Sequence, residues 1–532
     1  MDRIRRFISD WLSVTLALGV GVSTIIKLSG LRSRELWLDE SRSAFFANLP
    51  FHDLLRYSLG DTAPPLYHAL LWVWVRVVGS ALPELRLLSV LLSVLGAFGM
   101  FILARAWLGT RTAGTFAALL FAFSPMLFVY SLEVRQYMLL LCCIIGALII
   151  HHRVVVESRT TKSSVLLYCL LATLLFYSHY IGLFVLAGLL LDWLIATELK
   201  GVGLRSWCFV VLLVSFAAAP WIPTMIRQRG LTLGVYHAQA AGVSDPTSLS
   251  FGSPTLQPAL GEKVVTIARA LAATVGFFPA RTGVLLILLA VPFVAVLLGI
   301  PPLIIAGDRT CRTVAFVLLM TFVGLFGLKM IATRYFLPLL PPLILAMTSV
   351  VQSCLQSKHW RKAGIVVGSF LFLISFAGFI RQSSVRYANP WHGLISALRP
   401  AYTQGDVLVF DVLYGQVPFD FAAKDVRFNA HEDGFPETVY RWWEQQPVKI
   451  WGGPVLRESD LESTIKRVLE ASTTPTVWLV LYEVNYYDPH DRLLARFSEL
   501  GDAKEFFREL PQKADDPSAD KGLRLVRISL RK

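Results

Sequence analysis

The sequence predicts a polytopic α-helical membrane protein that ends in a separate α/β domain, and three observations predict it. Of 532 residues, 55% are hydrophobic and only 16% charged, with mean hydropathy +0.57; soluble domains carry roughly a quarter charged residues. Apolar runs near the ~20 residues needed to cross a bilayer recur up to residue 380, as in "VLLILLAVPFVAVLLGI" at 284–300. Beyond residue 382 those runs stop, and short apolar strands alternate with amphipathic helices.

The basic opening is followed by an apolar run, residues 11–29, without a small-residue cleavage site. It reads as a retained first helix rather than a removed leader. The net charge of +13 does not indicate nucleic acid, because the positive residues fall in short loops between apolar runs. Those loops hold Arg105 and Arg111; Arg153, Arg159 and Lys162; Lys200 and Arg205; Arg309 and Arg312; Lys358, Arg361 and Lys362. Basic short loops mark the cytoplasmic face. The six cysteines lie in or beside apolar segments, so no disulfide framework is implied.

Placing the N-terminus and these loops inside fixes the path. Helices at 11–29, 84–104, 113–130, 136–152, 163–178, 181–198, 207–226, 283–306, 313–330, 335–356 and 363–380 give about eleven spans, with a range of 11 to 13. The segment 64–79 begins with Pro-Pro and carries Arg76, and 263–280 carries Lys263 and Arg269. Both are expected to be interfacial rather than spanning. Residues 30–82 then form the first outer loop, and 1–381 a transmembrane domain. Residues 382–532 form an outer α/β domain with strands at 406–412, 447–453, 476–484 and 523–530. Its helices are expected at 391–400, 434–446, 458–471 and 487–499.

This path gathers polar residues on one face. Asp39, Glu40, Asp61 and His68 come from the first outer loop. "YSLEVRQY" (130–137) brings Glu133, Arg135 and Tyr137, "YSHY" brings His179 and Tyr180, and "ATRYFLP" brings Arg334. A carboxylate can take a proton from a hydroxyl, and guanidinium groups can stabilise a departing phosphate. Plainer roles stand beside these. Asp39 would serve as a helix N-cap, Glu133 and Arg135 as interfacial anchors, His179 and Tyr180 as aromatic-belt residues, and Arg334 as a snorkelling cation.

The pieces "LWLDE", "APPLYHALLWVW", "SPMLFVYSLEVRQYMLL", "YSHYIGLF" and "RYFLPLLPPLILA", in this order and spacing, resemble the GT-C glycosyltransferases that use polyprenyl-phosphate sugars. The likeness is in particular to the bacterial relatives of protein O-mannosyltransferases and of the aminoarabinose transferase. The resemblance implies an inverting glycosyltransferase in a bacterial inner membrane, acting on the periplasmic side. Asp39 would be the general base with Glu40 beside it, and Glu133 the second acidic position. Arg135 and Arg334 would hold the donor phosphate, leaving Asp61, His68, Tyr137, His179 and Tyr180 as further site candidates. The partners it implies are a polyprenyl-phosphate sugar, a glycan, lipid or protein acceptor, and membrane lipids. Carboxylates suit Mg or Mn, so Asp39 and Glu133 are the candidate metal ligands, although no metal-spacing motif marks them. The chain departs from the family at Ala63, where His commonly precedes Pro-Pro, and at Leu132, where Gln commonly precedes Glu.

Two other classes compete. A lipid-linked-saccharide transporter needs ionisable residues deep in its spans, and here the spans read as nearly charge-free apart from Asp192. A catalytically silent scaffold displaying the α/β domain is the other. The sequence has no phosphate-binding glycine loop or dinucleotide fingerprint.

Overall fold

The computed structural model describes residues 2–61, 63–200, 203–228, 248–249, 309–327, 333–385, 390–411, 413–435, 437–441, 456–482, 488, 491–509 and 523–531. The expected helices at 263–280 and 283–306 and the strand at 447–453 lie outside them. The chain divides into two compact units. One comprises Met1–Leu31, Ala63–Ile222 and Pro258–Val385, and the other Arg32–Thr62, Pro223–Gln257 and Arg386–Lys532. Of the first outer loop, expected to belong with the spans, residues 32–62 thus group in the same unit as the tail and residues 63–82 with the bundle.

The first unit is a helical bundle. Helices Asp2–Ser29, Leu82–Leu108, Tyr137–His151, Lys162–Ser178, Gly182–Lys200, Leu204–Ala218, Arg309–Gly327, Leu340–Gln356 and Arg361–Ser383 follow the expected sequence of spans. Among the described residues, six helical segments are long and apolar enough to cross a membrane, or seven with one bent pair. That pair replaces the single helix expected at 113–130. Arg111–Ala122 and Pro125–Ser131 meet at 57°, because Pro125 cannot continue the hydrogen-bond ladder of the preceding turn. The break is followed by "LEVRQ" as a bend at 132–136, the connection expected between the two helices.

Helix Leu82–Leu108 shows how local sequence sets its ends. Glu84 Oε2 accepts from the Ala81 N–H at 2.8 Å, and Gly109 closes the helix in the left-handed region at φ 74°. The segment expected to lie in the interface is Leu66–Val77, 12 residues and therefore about 18 Å long, too short for a ~30 Å hydrocarbon core. Arg76 folds back over the Trp72 ring at 3.7 Å. At Gly188 a Cβ would lie 2.7 Å from the Val317 backbone, so this glycine lets two helices approach closely.

The spans contain more charge than their composition suggests. Asp192 is fully buried and meets His151 at 2.9 Å, Arg312 at 2.6 Å and Thr313 at 2.8 Å. Lys27 and Arg86 are also buried; Lys27 Nζ donates to Ser93 Oγ at 3.2 Å and Arg86 to the Leu31 carbonyl at 2.9 Å. The Asp192 network ties neighbouring helices together through satisfied partners, which is what a buried ion pair requires.

The tail contains a five-stranded mixed sheet of β1 (Val407–Asp411), β2 (His431–Gly434), β3 (Thr476–Leu481), β4 (Gly501–Glu509) and β5 (Leu523–Leu530). Its order is β2-β1-β3-β5-β4. β2, β1 and β3 run parallel, with Val407 opposite both His431 and Val477, and β5 pairs antiparallel with β3 and β4. Period-two alternation splits the core. Val407 and Val409 pack with Leu461, Ile465 and Phe497, while Leu408 and Phe410 pack with Trp391, Leu394 and Phe419. Helices Glu458–Ala471 and Arg492–Leu500 therefore serve one face, and Pro390–Leu398 and Gln416–Asp425 the other. Both central strands are fully buried, as parallel strands covered on two sides are.

In the same unit the first outer loop forms helices Leu38–Asn48 and Phe51–Ser58. Phe46 stacks on Tyr57 at 5.9 Å, and both enter a cluster with Leu413, Tyr414, Val417 and Val439. The loop is thus part of the tail's core.

Candidate active site

Most of the expected site residues fall into two clusters, Asp39, Glu40 and Asp61 in one unit and Glu133, Arg135, Tyr137, His179 and Arg334 in the other. The first begins at Trp37. This residue, not Asp39, is the N-cap of helix Leu38–Asn48, and its N–H donates to Glu40 Oε2 at 3.4 Å. The plainer role for Asp39 as N-cap is therefore wrong, because the helix starts two residues earlier. Asp39 lies inside the first turn, where the helix dipole favours a carboxylate.

Asp39 meets a residue that the sequence did not single out. Arg42 NH2 donates to Asp39 Oδ1 at 2.7 Å and NH1 donates to Asp61 Oδ1 at 3.3 Å. All three side chains are buried. One guanidinium fork thus fixes the planes of two carboxylates from different ends of the loop. Arg42 is three residues after Asp39, the helical spacing that lets side chains meet, and that spacing was the available signal. Glu40, also buried, is engaged at the helix start instead.

The second cluster forms around the bend after Pro125–Ser131. Ser89 Oγ donates to the Glu133 carbonyl at 2.6 Å, pinning the bend on helix Leu82–Leu108. Glu133, Arg135 and Tyr137 are buried. Arg334 arrives from a 3₁₀ turn, Thr333–Leu339, 5.4 Å from the centre of the Tyr335 ring. Arg135, Arg334, Glu133 and Tyr335 all act electrostatically on Tyr137. The His179 ring lies 6.3 Å from those of Tyr137, tilted, and Tyr335, edge-on, and its Nδ1 accepts the Ile181 N–H at 3.1 Å.

His179 lies in the turn between two helices, and although it keeps some exposed area, desolvation holds its imidazole well below the ordinary histidine range. The positive charges of Arg135 and Arg334 add to that shift. A neutral ring with Nδ1 accepting leaves the proton on Nε2. The cluster therefore brings two cations and a neutral ring donor together with the Glu133 carboxylate. The Tyr180 hydroxyl accepts from Trp221 Nε1 at 2.9 Å. His68 is buried on helix Leu66–Val77 against Tyr67, ring centres 6.1 Å apart. Among the described residues no group of three or more His, Cys, Asp or Glu side chains could hold a metal ion.

Residues 62–223 match the family model described as dolichyl-phosphate-mannose-protein mannosyltransferase. No curated protein matches the chain significantly in sequence. Among solved structures, ArnT from Cupriavidus metallidurans in the apo state is similar, at TM-score 0.57 and 14% identity, over 98% of each chain. The same protein bound to undecaprenyl phosphate gives TM-score 0.53 and 14% identity, over 96% of this chain and 97% of that one. The archaeal oligosaccharyltransferase AglB from Archaeoglobus fulgidus, in complex with an inhibitory peptide and a dolichol-phosphate, gives TM-score 0.52 and 10% identity. That match covers 97% of this chain and 74% of the other. The chain therefore has the multi-pass fold of these membrane glycosyltransferases, and the resemblance drawn from its motifs is met by both kinds of match.

Proposed function

We propose that the protein is a glycosyltransferase that moves a hexosyl or pentosyl group from a polyprenyl phosphate to an acceptor hydroxyl. It would do so with inversion, on the periplasmic side of a bacterial inner membrane. Supporting this are the family match over 62–223 and the likeness to a structure that holds undecaprenyl phosphate. The observation that carries it is that Arg135 and Arg334 both lie close enough to act electrostatically on Tyr137 and His179, a pair of cations that would suit a phosphate.

In this mechanism Asp39, oriented by Arg42, takes the acceptor's hydroxyl proton as the oxygen attacks the anomeric carbon. The bond from that carbon to the phosphate oxygen breaks, and the polyprenyl phosphate leaves with the electron pair. Arg135 and Arg334 balance its charge, Glu133 orients Arg135, and neutral His179 donates from Nε2. Asp61 shares Arg42 with Asp39 and would take over part of the polar role of the histidine that Ala63 replaces. The α/β domain would bind the acceptor or a partner. Asp192, held by three partners, has the character of a structural tie rather than a transport relay.

The test is transfer of labelled sugar from a polyprenyl-phosphate sugar by purified protein, with the product identified. Absence of transfer from every such donor, by protein shown to bind polyprenyl phosphate, refutes the reading.

A further inference from the structure

The segment that carries Asp39 is fastened to the tail domain at both ends. Four residues before Asp39, Glu35 reaches the start of helix Pro390–Leu398. Its Oε2 accepts from the Trp391 N–H at 2.7 Å and its Oε1 from the His392 N–H at 2.8 Å. Oε1 also meets His392 Nδ1, and the other ring nitrogen faces Asp425 at 3.2 Å. Pro390 has no N–H, so Trp391 and His392 carry the first donors of this helix, and helix N-termini favour a carboxylate. A single carboxylate thus satisfies two such donors from more than 350 residues away in sequence, the separations being 356 and 357.

Seven residues after Asp39, Phe46 is buried against Tyr57, Leu413, Tyr414 and Val417, and Phe45 lies 5.4 Å from the Tyr440 ring. The stretch between these fasteners contains Asp39, Glu40 and Arg42. Its own hydrogen bonds define a helix start, but a short helix is marginal without tertiary packing.

We propose that Glu35 is a positioning residue, holding the Trp37–Arg42 segment through the N-terminus of helix Pro390–Leu398 so that the tail domain sets the geometry of Asp39. This rests on the reading of Asp39 as general base. It gives the α/β domain a part in the reaction besides binding the acceptor or a partner. Small misplacements of a reacting group cost up to about 10²-fold in rate, so the clamp is expected to act on turnover rather than on donor binding.

The experiment compares Glu35→Ala, Glu35→Gln and Glu35→Asp in the full chain, with polyprenyl-phosphate sugar as the donor. Hydrogen exchange of the Leu36–Arg42 amides is followed in parallel. Glu35→Ala is expected to lower kcat about ten- to hundredfold with the donor KM within about twofold, and to speed exchange in 36–42. Glu35→Gln offers one acceptor oxygen in place of two and should lie between the alanine variant and the wild type, as should Glu35→Asp, which keeps both oxygens on a shorter arm. A merely structural role predicts less folded protein but unchanged kcat per folded molecule. Unchanged kcat in Glu35→Ala and Glu35→Gln, or a loss confined to KM, overturns the proposal. Unchanged exchange in 36–42 overturns it too. A wild-type protein without transferase activity would instead refute the general-base reading, while the exchange measurement still decides whether the clamp holds the segment.

Discussion

Replacing Asp39 by Asn separates chemistry from architecture, because the structure assigns the helix start to Trp37 and Glu40. Asn keeps an oxygen for the Arg42 contact at 2.7 Å, and Arg42 retains Asp61 at 3.3 Å, so the guanidinium is not left without a carboxylate. A hydrogen bond to a charged group contributes about 1.5–3 kcal/mol, and with one oxygen retained the stability loss should fall at or below the lower end of that range. The proton acceptor is lost entirely. General-base catalysis contributes about 10²- to 10⁴-fold, so kcat should drop by that order while donor binding stays near normal. Single-turnover transfer of labelled sugar, with donor-lipid binding and thermal unfolding of the same samples, gives the three quantities together. An Asp39→Asn protein with normal turnover refutes Asp39 as the base. If Glu40→Gln is then inactive, the role moves one residue along, although the Glu40 contact to the Trp37 N–H predicts a stability defect for that variant instead.

Three further expectations follow from the same geometry. Arg135→Ala and Arg334→Ala should each lower donor efficiency about ten- to hundredfold, the equivalent of one charge-assisted hydrogen bond; steady-state kinetics checks this, and lysine should restore only part because it lacks the planar fork. In the tail, burial and then Asp420 push the Glu432 carboxyl from 4.5 up to about 9. The folded state therefore binds more protons than the unfolded one between those values, and this stabilising contribution, complete below about 4.5, is lost as pH rises towards 9. Glu432→Gln should flatten that decline in melting curves of the full-length protein. For topology, a cysteine at His52, whose side chain is 88% exposed, should react with an impermeant thiol reagent from outside, and one at Arg159, 64% exposed, should not. Labelling of both from one side would refute the assigned path.

The spans were readable because a bilayer imposes a length and a polarity on every segment that crosses it. The same physics hid three features. A proline after Ser124 breaks a run whose hydropathy is continuous, so composition alone could not separate Arg111–Ala122 from Pro125–Ser131. Lys27 and Arg86 lie near the ends of apolar runs, where a long cation is equally consistent with the interface and with burial. In the tail, β1, β3 and β5 were visible as apolar strands, whereas β4, "GDAKEFFRE", is an exposed edge held by backbone pairing with β5. Its identity depends on a partner rather than on its own pattern. Helix Gln416–Asp425 and strand β2 were missed for a similar reason, being short and packed mainly through their neighbours.

The candidate site divides along the same line. Asp39, Glu133, Arg135 and Arg334 stood out because charge is scarce in this chain, and a charge at a span end asks for a reason. Arg42 and Glu35 carry the same kinds of charge within the same loop, yet their meaning comes from what they touch. For Arg42 the partner is three residues away and could have been tried by helical spacing. For Glu35 it is the backbone of Trp391 and His392, donors that every helix start possesses and that no side-chain pattern marks. A sequence advertises groups suited to chemistry more readily than the contacts that aim them. In this protein those contacts run from the loop that holds Asp39 into the α/β domain, so on the proposed mechanism mutations in helix Pro390–Leu398 should affect turnover although the helix carries none of the residues assigned to the reaction.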